Sequence, residues 1–406
     1  MYVWLEVLAG SALGIGLGAV SGLVPGVHSN TMAVLLLALY PVLILHLGPV
    51  AVASALIAAL ITHTFLDIVP STLLGIPDPD TALSVLPAHR LCLTGAGQEA
   101  IRISALGSAL GAVASIPVFL LFLVLLPSFQ PFIDWWAGIL ILIVAGLLVI
   151  RSEAPSIALA LLLVSGLLGI FSLRYSYVAW NNIGTSGLLM PLLSGLFGMA
   201  ALLSSSHGKI PMQRFEGLSL ERQAVMKGTL IGTVAGSMVG WLPGLSTATA
   251  NGLIASFVNH ERDGRGYILA TSAANTANAV IGLAAFYAIG RMRNGVMVAL
   301  SSIPLPPLHA MLEASLIAAC CAYMLTILLS KSALWLNRLD TKRLNISVMV
   351  FVSLLSLMLT GPFGILILAC ATLLGLVPPI LNVPRMFLMG AIMIPVMLIS
   401  FGIPAI

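Results

Sequence analysis

The chain has 406 residues, 60% of them hydrophobic and 7% charged, with a mean hydropathy of +1.12. A soluble domain carries roughly 25% charged residues, so this composition excludes an ordinary soluble protein and predicts an all-α polytopic membrane protein. The net charge of +4 is no nucleic-acid footprint, because the basic residues are scattered through short loops where they act as topology determinants.

The N-terminus lacks the basic n-region of a cleavable signal peptide and carries Glu6 instead, so it is read as part of the first apolar run. That run, Leu5 to Leu47, is interrupted. Gly10, Gly14, Gly18 and Gly22 lay a side-chain-free stripe along one helix face, which lets another backbone approach closely. Pro25 and Gly26 then stop the helix, and His28, Ser29, Asn30 and Thr31 follow, several of them good caps for a new helix. A helix is expected from Val50 to Gly75, then a polar loop from Ile76 to Ala100 holding Asp78, Asp80, His89, Arg90 and Glu99. Spans of about 17–25 residues follow at Ile101–Leu126, Trp135–Ile150, Pro155–Phe171 and Gly184–Leu203, with Pro127 to Asp134 as a connector between the first two. The longest polar connector, Ser204 to Lys227, closes the first half.

The second half repeats the plan. An offset of 218 carries the glycine stripe onto Gly228, Gly232, Gly236 and Gly240, and the break onto Pro243 and Gly244. Ser246, Thr247, Thr249 and Asn251 come next in this second broken segment, Gly228 to Val258. After a charged loop at His260 to Arg265, helices read Tyr267–Gly290, Leu308–Leu329, Leu344–Thr360, Pro362–Leu381 and Phe387–Ile403. The chain is therefore an internal duplication: repeats 1–206 and 228–406, joined by connector 207–227. Each repeat combines a Pro-Gly-broken helical hairpin with about five transmembrane helices, and an odd number of crossings inverts the second repeat. With the connector placed in the cytoplasm, 14 of the 17 Lys and Arg fall inside and only Arg174, Arg291 and Arg293 outside, as the positive-inside rule demands. The expectation is a multi-pass cell-membrane protein of inverted-topology repeats with both termini extracytoplasmic.

Paired broken helices at matching positions point to a transporter's binding site. Fresh helix N-termini present unpaired N–H groups and a positive dipole end, which suits an anion. The candidate substrate-binding residues are Pro25, Gly26, His28, Ser29, Asn30 and Thr31 at the first break. At the second they are Pro243, Gly244, Ser246, Thr247, Thr249 and Asn251, joined by Asn275 and Asn278 (with Thr276) at the start of the following helix. His63 and Asp67 are spaced i, i+4 on a predicted helix, facing one way; ionisable groups inside a membrane default to function, and a proton relay or ion-coupling pair is the expectation. The plainer alternative for all of these is interhelical hydrogen bonding and tight packing. Four cysteines (Cys92, Cys320, Cys321, Cys370) lack metal-ligand spacing, so no cofactor is expected beyond a coupling Na+ or H+. No HExxH or Gly-x-Gly-Asp motif occurs, which argues against an intramembrane enzyme. A carrier of a small organic anion is the leading reading. A translocase for a polyprenyl-phosphate lipid carrier is the rival, since a lipid phosphate suits helix N-termini equally. Membrane lipids are expected neighbours, nucleic acid is not, and a homo-oligomer is compatible with the sequence.

The motifs resemble the large membrane (permease) subunit of the tripartite tricarboxylate transporters. The resemblance rests on Gly22 to Val27 (Gly-Leu-Val-Pro-Gly-Val), Gly75 to Ala82 (Gly-Ile-Pro-Asp-Pro-Asp-Thr-Ala), Pro87 to Arg90, Gly240 to Leu245, and Ala273 to Ala279 with its two asparagines. It implies uptake of di- or tricarboxylates driven by an ion gradient, with a small membrane subunit and an extracytoplasmic solute-binding protein as partners. Where that family has a Gly-Gly-Ser-like stretch after the first helix pair, this chain carries the bulkier, ionisable Thr62 to Asp67.

Overall fold

Gly-Pro steps set two main corners of the chain. The computed structural model describes residues 2–24, 27–74, 85–180, 188–204, 211–242, 247–254, 258, 264–331 and 341–403, and among them no strand occurs. The first half holds α1 (Tyr2–Leu23), α2 (Ser29–Leu66), α3 (Ile68–Leu74), α4 (Val85–Leu93), α5 (Gly97–Ile150), α6 (Pro155–Arg174) and α7 (Leu189–Ser204). The second holds α8 (Arg222–Trp241), α9 (Thr247–Ile254), α10 (Gly264–Ile289), α11 (Gly295–Ser301), α12 (Leu308–Leu329), α13 (Thr341–Gly375), α14 (Val377–Ile380) and α15 (Arg385–Ser400). Among the described residues, seven helices are long and apolar enough to cross a membrane.

Inside α2, Gly48 takes φ +74° ahead of Pro49, and inside α13, Gly361 takes φ +72° ahead of Pro362. These left-handed conformations cost other residues about 1–2 kcal/mol, so each Gly-Pro pair turns one continuous apolar run into two helices. At the first corner the chain has come back to its beginning: a Cβ added to Gly48 would stand 2.6 Å from Glu6 Oε2. α1, with 22 residues, is about 33 Å long and residues 29–47 about 28 Å. Both arms match the ~30 Å hydrocarbon core, so the first broken segment is a hairpin of two full-length arms.

The glycine stripes then do the same job twice. The faces of Gly10, Gly14 and Gly18 lie on the carbonyls of Ala51, Ala55 and Ala59 in α2, and those of Gly232 and Gly236 on the carbonyls of Ala270 and Ala274 in α10. An added Cβ at any of these five would come under 3.0 Å from its neighbour. In both halves the striped helix runs parallel to the helix it packs on, which requires the segment between them to return. The glycines match at an offset of 218, whereas the carbonyls they meet match at 215 (Ala51 to Gly266, Ala55 to Ala270). The return of the second half is three residues shorter.

The halves also exchange partners. Gly107 and Gly111 of α5 seat on Leu269 and Ala273 of α10, while α12 packs on α2, with the Thr326 hydroxyl donating to the Phe65 carbonyl at 3.2 Å. Between them, α2 and α10 meet in opposite chain directions: Ala279 and Ile281 cluster with Leu56 and Ile57, whereas Ile268 and Leu269 cluster with Ile68 and Val69. α10 is thus wrapped by α2, α5 and α8 and buried over most of its length.

Several sequence expectations are corrected. The connector Pro127 to Asp134 is helical, so Ile101–Leu126 and Trp135–Ile150 are one 54-residue element; its inner prolines, Pro117, Pro127 and Pro131, remove single donors without stopping the helix. The helix expected to end at Gly75 pauses at Asp67 and resumes as α3. Asn275, Thr276 and Asn278 do not begin a helix, since α10 starts at Gly264 and they lie near its middle. The stretch expected as Gly184–Leu203 carries a π-helical turn, Ser194–Met199. Asp78, Asp80 and His260 lie outside the described residues.

Candidate functional site

The site is built where the two helix breaks meet the middle of α10. α1 stops at Leu23 because Pro25 and Gly26 follow; α8 stops at Trp241 ahead of Pro243 and Gly244. Pro25, Gly26, Pro243, Gly244 and Ser246, together with the Thr249 side chain, lie outside the described residues. What flanks them is described on both sides.

At the first break, His28 is the N-cap of α2. Its Nδ1 accepts the Asn30 N–H at 3.1 Å and lies 3.2 Å from the Ser29 hydroxyl. With Nδ1 occupied as an acceptor, the neutral ring carries its proton on Nε2. The His28 ring sits 5.0 Å from that of His63, whose Nδ1 is 3.1 Å from the Ser21 hydroxyl of α1. Ser29 and Thr31 are buried, and the Thr31 N–H closes the first turn onto the His28 carbonyl. Asn30 reaches into the second half, where its Oδ1 accepts the Gly295 N–H at 2.8 Å.

Asp67 caps the C-terminal end of α2 and is 3% exposed. The Asn275 amide of α10 donates to its Oδ2 at 2.7 Å. The His63 ring thus reaches Ser21 and the ring of His28 at the first break, and the Asp67 carboxylate reaches the other half. One turn of packing surrounds this bond. The Thr64 and Thr276 hydroxyls lie 3.1 Å apart, and Ser104 and Ser272 2.8 Å apart. A buried carboxylate is costly unless hydrogen-bonded, and the Asn275 amide supplies such a bond within this polar layer.

At the second break, the Asn278 amide donates to the Thr247 hydroxyl at 3.1 Å, tying α10 to the first turn of α9. The Asn251 carbonyl accepts from the buried Tyr267 hydroxyl at 3.0 Å. By the 215-residue register, Asn278 is the counterpart of His63, so both breaks are held by a polar side chain at one equivalent position. That equivalence was not visible in the 218-residue sequence offset.

Arg293, read from sequence only as a topology signal, belongs beside this site. It donates to the Val239 carbonyl in the last turn of α8 at 2.8 Å. Burial and the neighbouring Arg291 pull its guanidinium down to about 10, which leaves it charged at neutral pH. A cation against a helix C-terminus is stabilised by the dipole. Next to it, Asn294 caps α11 through the Met297 N–H at 2.9 Å. The segment 293–295 therefore touches the last turn before one break and the first turn after the other. Its signal in sequence was two arginines, Arg291 and Arg293, beside an Asn-Gly pair, too weak to single out. Among the described residues no group of three or more His, Cys, Asp or Glu is placed to hold a metal.

With this geometry in hand, the relatives can be read. The model of the "Tripartite tricarboxylate transporter TctA family" matches residues 8–390. An uncharacterized protein of Methanocaldococcus jannaschii, MJ1079, is 30% identical over 356 residues, covering 84% of this chain and 85% of that protein. No solved structure matches. Nothing among these relatives supports the polyprenyl-phosphate reading.

Proposed function

The chain belongs to the tripartite tricarboxylate transporter TctA family, a family of membrane transporters, and from that premise we propose that it carries a small di- or tricarboxylate by alternating access, coupled to a proton or sodium gradient. The observation that carries this reading is the Asp67–Asn275 bond, a buried carboxylate joining the two halves at the level of both breaks. The helix starts at Ser29 and Thr247, with His28, Asn30 and Asn251, form an anion site. Asp67 and His63 take up the coupling ion, since a carboxylate and an imidazole are groups that a proton can neutralise or charge. By sequence position alone, Pro25, Gly26, Pro243, Gly244, Ser246 and Thr249 are assigned to the same anion site.

Repeats 1–206 and 228–406 are inverted copies, with 207–227 in the cytoplasm and both termini outside. The opposite directions of α2 and α10, and the reciprocal packing of α5 on α10 and α12 on α2, support that reading. Carriers built this way move one repeat against the other around a fixed site. An extracytoplasmic binding protein and a small membrane subunit are the partners, as in the tripartite systems of the family.

A thermal-shift series on the protein in detergent tests the site. Citrate or a shorter dicarboxylate is expected to raise the melting temperature, because a ligand at 100 times its dissociation constant adds about 2.7 kcal/mol to the folded state. The shift should depend on sodium or on pH between 5 and 8, and should vanish in His28→Ala. A shift that persists unchanged in His28→Ala would remove the breaks from the site.

A further inference from the structure

One carboxylate outside the central site is tied more elaborately than a structural helix start requires. Glu99 lies in the first turn of α5 and is 5% exposed. Arg265, in the first turn of α10, donates to it through Nε at 2.9 Å and Nη2 at 2.8 Å. The backbone N–H of Ser219, in the connector between the halves, donates to Glu99 Oε1 at 2.7 Å. The same connector is pinned a few residues earlier. Gln213 accepts the Gly97 N–H at 2.7 Å and donates to the Cys92 carbonyl at 3.0 Å, and the Arg214 N–H donates to the Gly95 carbonyl at 2.9 Å. Arg102 of α5 stacks over the Phe215 ring at 3.9 Å.

The far end of α10 carries a counterpart. Arg291, just beyond Ile289, pairs with Asp134 of α5. α5 and α10 are therefore clamped by an ion pair near each end of α10, which with 26 residues is about 39 Å long and spans the bilayer. The clamps are unequal. Asp134 is 44% exposed, whereas the Glu99 side chain is 7% exposed and holds a bidentate arginine plus a backbone donor. Exposed charges contribute little; Glu99 is the enclosed member of its pair, with Arg265 33% exposed, and losing the arginine strands the buried carboxylate's charge.

We infer that Glu99 is the bolt of a gate at the connector end of the transporter. Its carboxylate joins one half to the other through Arg265 and holds the connector as a strap through Ser219, so this end opens only when both contacts are released together. Asp134–Arg291 is the lighter gate at the opposite end. The inequality sets the resting state: the connector end stays shut while the other end opens more easily to receive substrate. This rests on the alternating-access reading above, and it assigns Glu99 as a positioning residue that sets gate energy without touching substrate.

Cys92 reports on the strap. It is fully buried beneath Gln213, and burial pushes its thiol up to about 11, so a membrane-impermeant maleimide should reach it slowly at pH 7.5 while the gate is shut. The experiment is mass-mapped labelling of Cys92 in the full chain held in lipid nanodiscs, where both faces are accessible and no transport is needed. Glu99→Gln, which keeps an acceptor for Ser219 but removes the charge facing Arg265, should speed labelling about tenfold, the factor that ~1.4 kcal/mol corresponds to. Glu99→Ala should exceed it, and Arg265→Gln should match Glu99→Gln. Arg291→Gln, loosening the opposite end, should slow labelling. Wild-type rates in Glu99→Gln would overturn the bolt. So would an equal acceleration in Arg291→Gln, which would mark general loosening of the fold. Acceleration in the Glu99 variants with no response in Arg291→Gln would uphold the bolt and count against alternation itself.

Discussion

Asp67→Asn is expected to cut gradient-driven uptake in proteoliposomes by about one to two orders of magnitude while leaving the protein folded. The substitution preserves size and an acceptor oxygen for Asn275, so the 2.7 Å contact across the halves can persist, but the group no longer gains or loses a proton or attracts a sodium ion. Hydrogen bonds to a charged group are worth roughly 1.5–3 kcal/mol, which corresponds to a loss of about 10- to 150-fold in a step that depends on the charge. Exchange of labelled for unlabelled substrate, which needs no ion gradient, should survive. Uptake close to wild type would remove Asp67 from coupling. Loss of exchange together with a lowered melting temperature would reduce it to a structural helix cap.

The second large effect is steric. Gly14→Ala and Gly236→Ala place a methyl against the carbonyls of Ala55 and Ala274, with Ala58 Cβ a further 2.7 Å neighbour at the first site. The obstacle in each case is backbone of a packed helix, which cannot swing aside as a side chain can. Overpacking costs typically about 1–3 kcal/mol, and both variants should melt lower and give less monodisperse protein. Gly16→Ala is the control: nothing lies within 4 Å of its added methyl, and alanine gains up to ~1 kcal/mol over glycine inside a helix. Gly16→Ala should therefore be neutral or stabilising. Equal losses at all three would mean that the stripe matters for something other than contact between helices.

These two expectations differ in how far the sequence alone leads to them. The glycine stripes were legible because their spacing and repetition are local, and the side that must be flat follows from the helix period. The corners at Gly48-Pro49 and Gly361-Pro362 were legible for the same reason: a donor is lost next to a residue free to turn left-handed. Legibility ends where partners are distant in the chain. His63 and Asp67 read as one i, i+4 pair because helix geometry fixes that they share a face. Which more distant neighbours they meet depends on how α1 and α10 pack around α2, and these include Ser21 for His63 and Asn275 for Asp67. The connector Pro127 to Asp134 failed as a predicted loop because single prolines can be carried within a long helix. Arg293 went unnoticed because a topology argument counts charges by side of the membrane, whereas its contact with the Val239 carbonyl is a matter of packing. Asn278 gained meaning only when the 215-residue register made it the counterpart of His63.

The central claim is that a small carboxylate passes between the two breaks on a carrier. Counterflow tests it most directly. Proteoliposomes holding the wild-type protein are loaded with a high concentration of unlabelled citrate and diluted into a trace of labelled citrate, with no ion gradient. A carrier with one site facing each side in turn returns inward loaded with label more often than it leaves with it, so the label should rise above its equilibrium level and then decay. A rise that only approaches equilibrium would describe a channel. No entry of citrate or of any shorter dicarboxylate, with the binding protein and small subunit both present, would contradict the account.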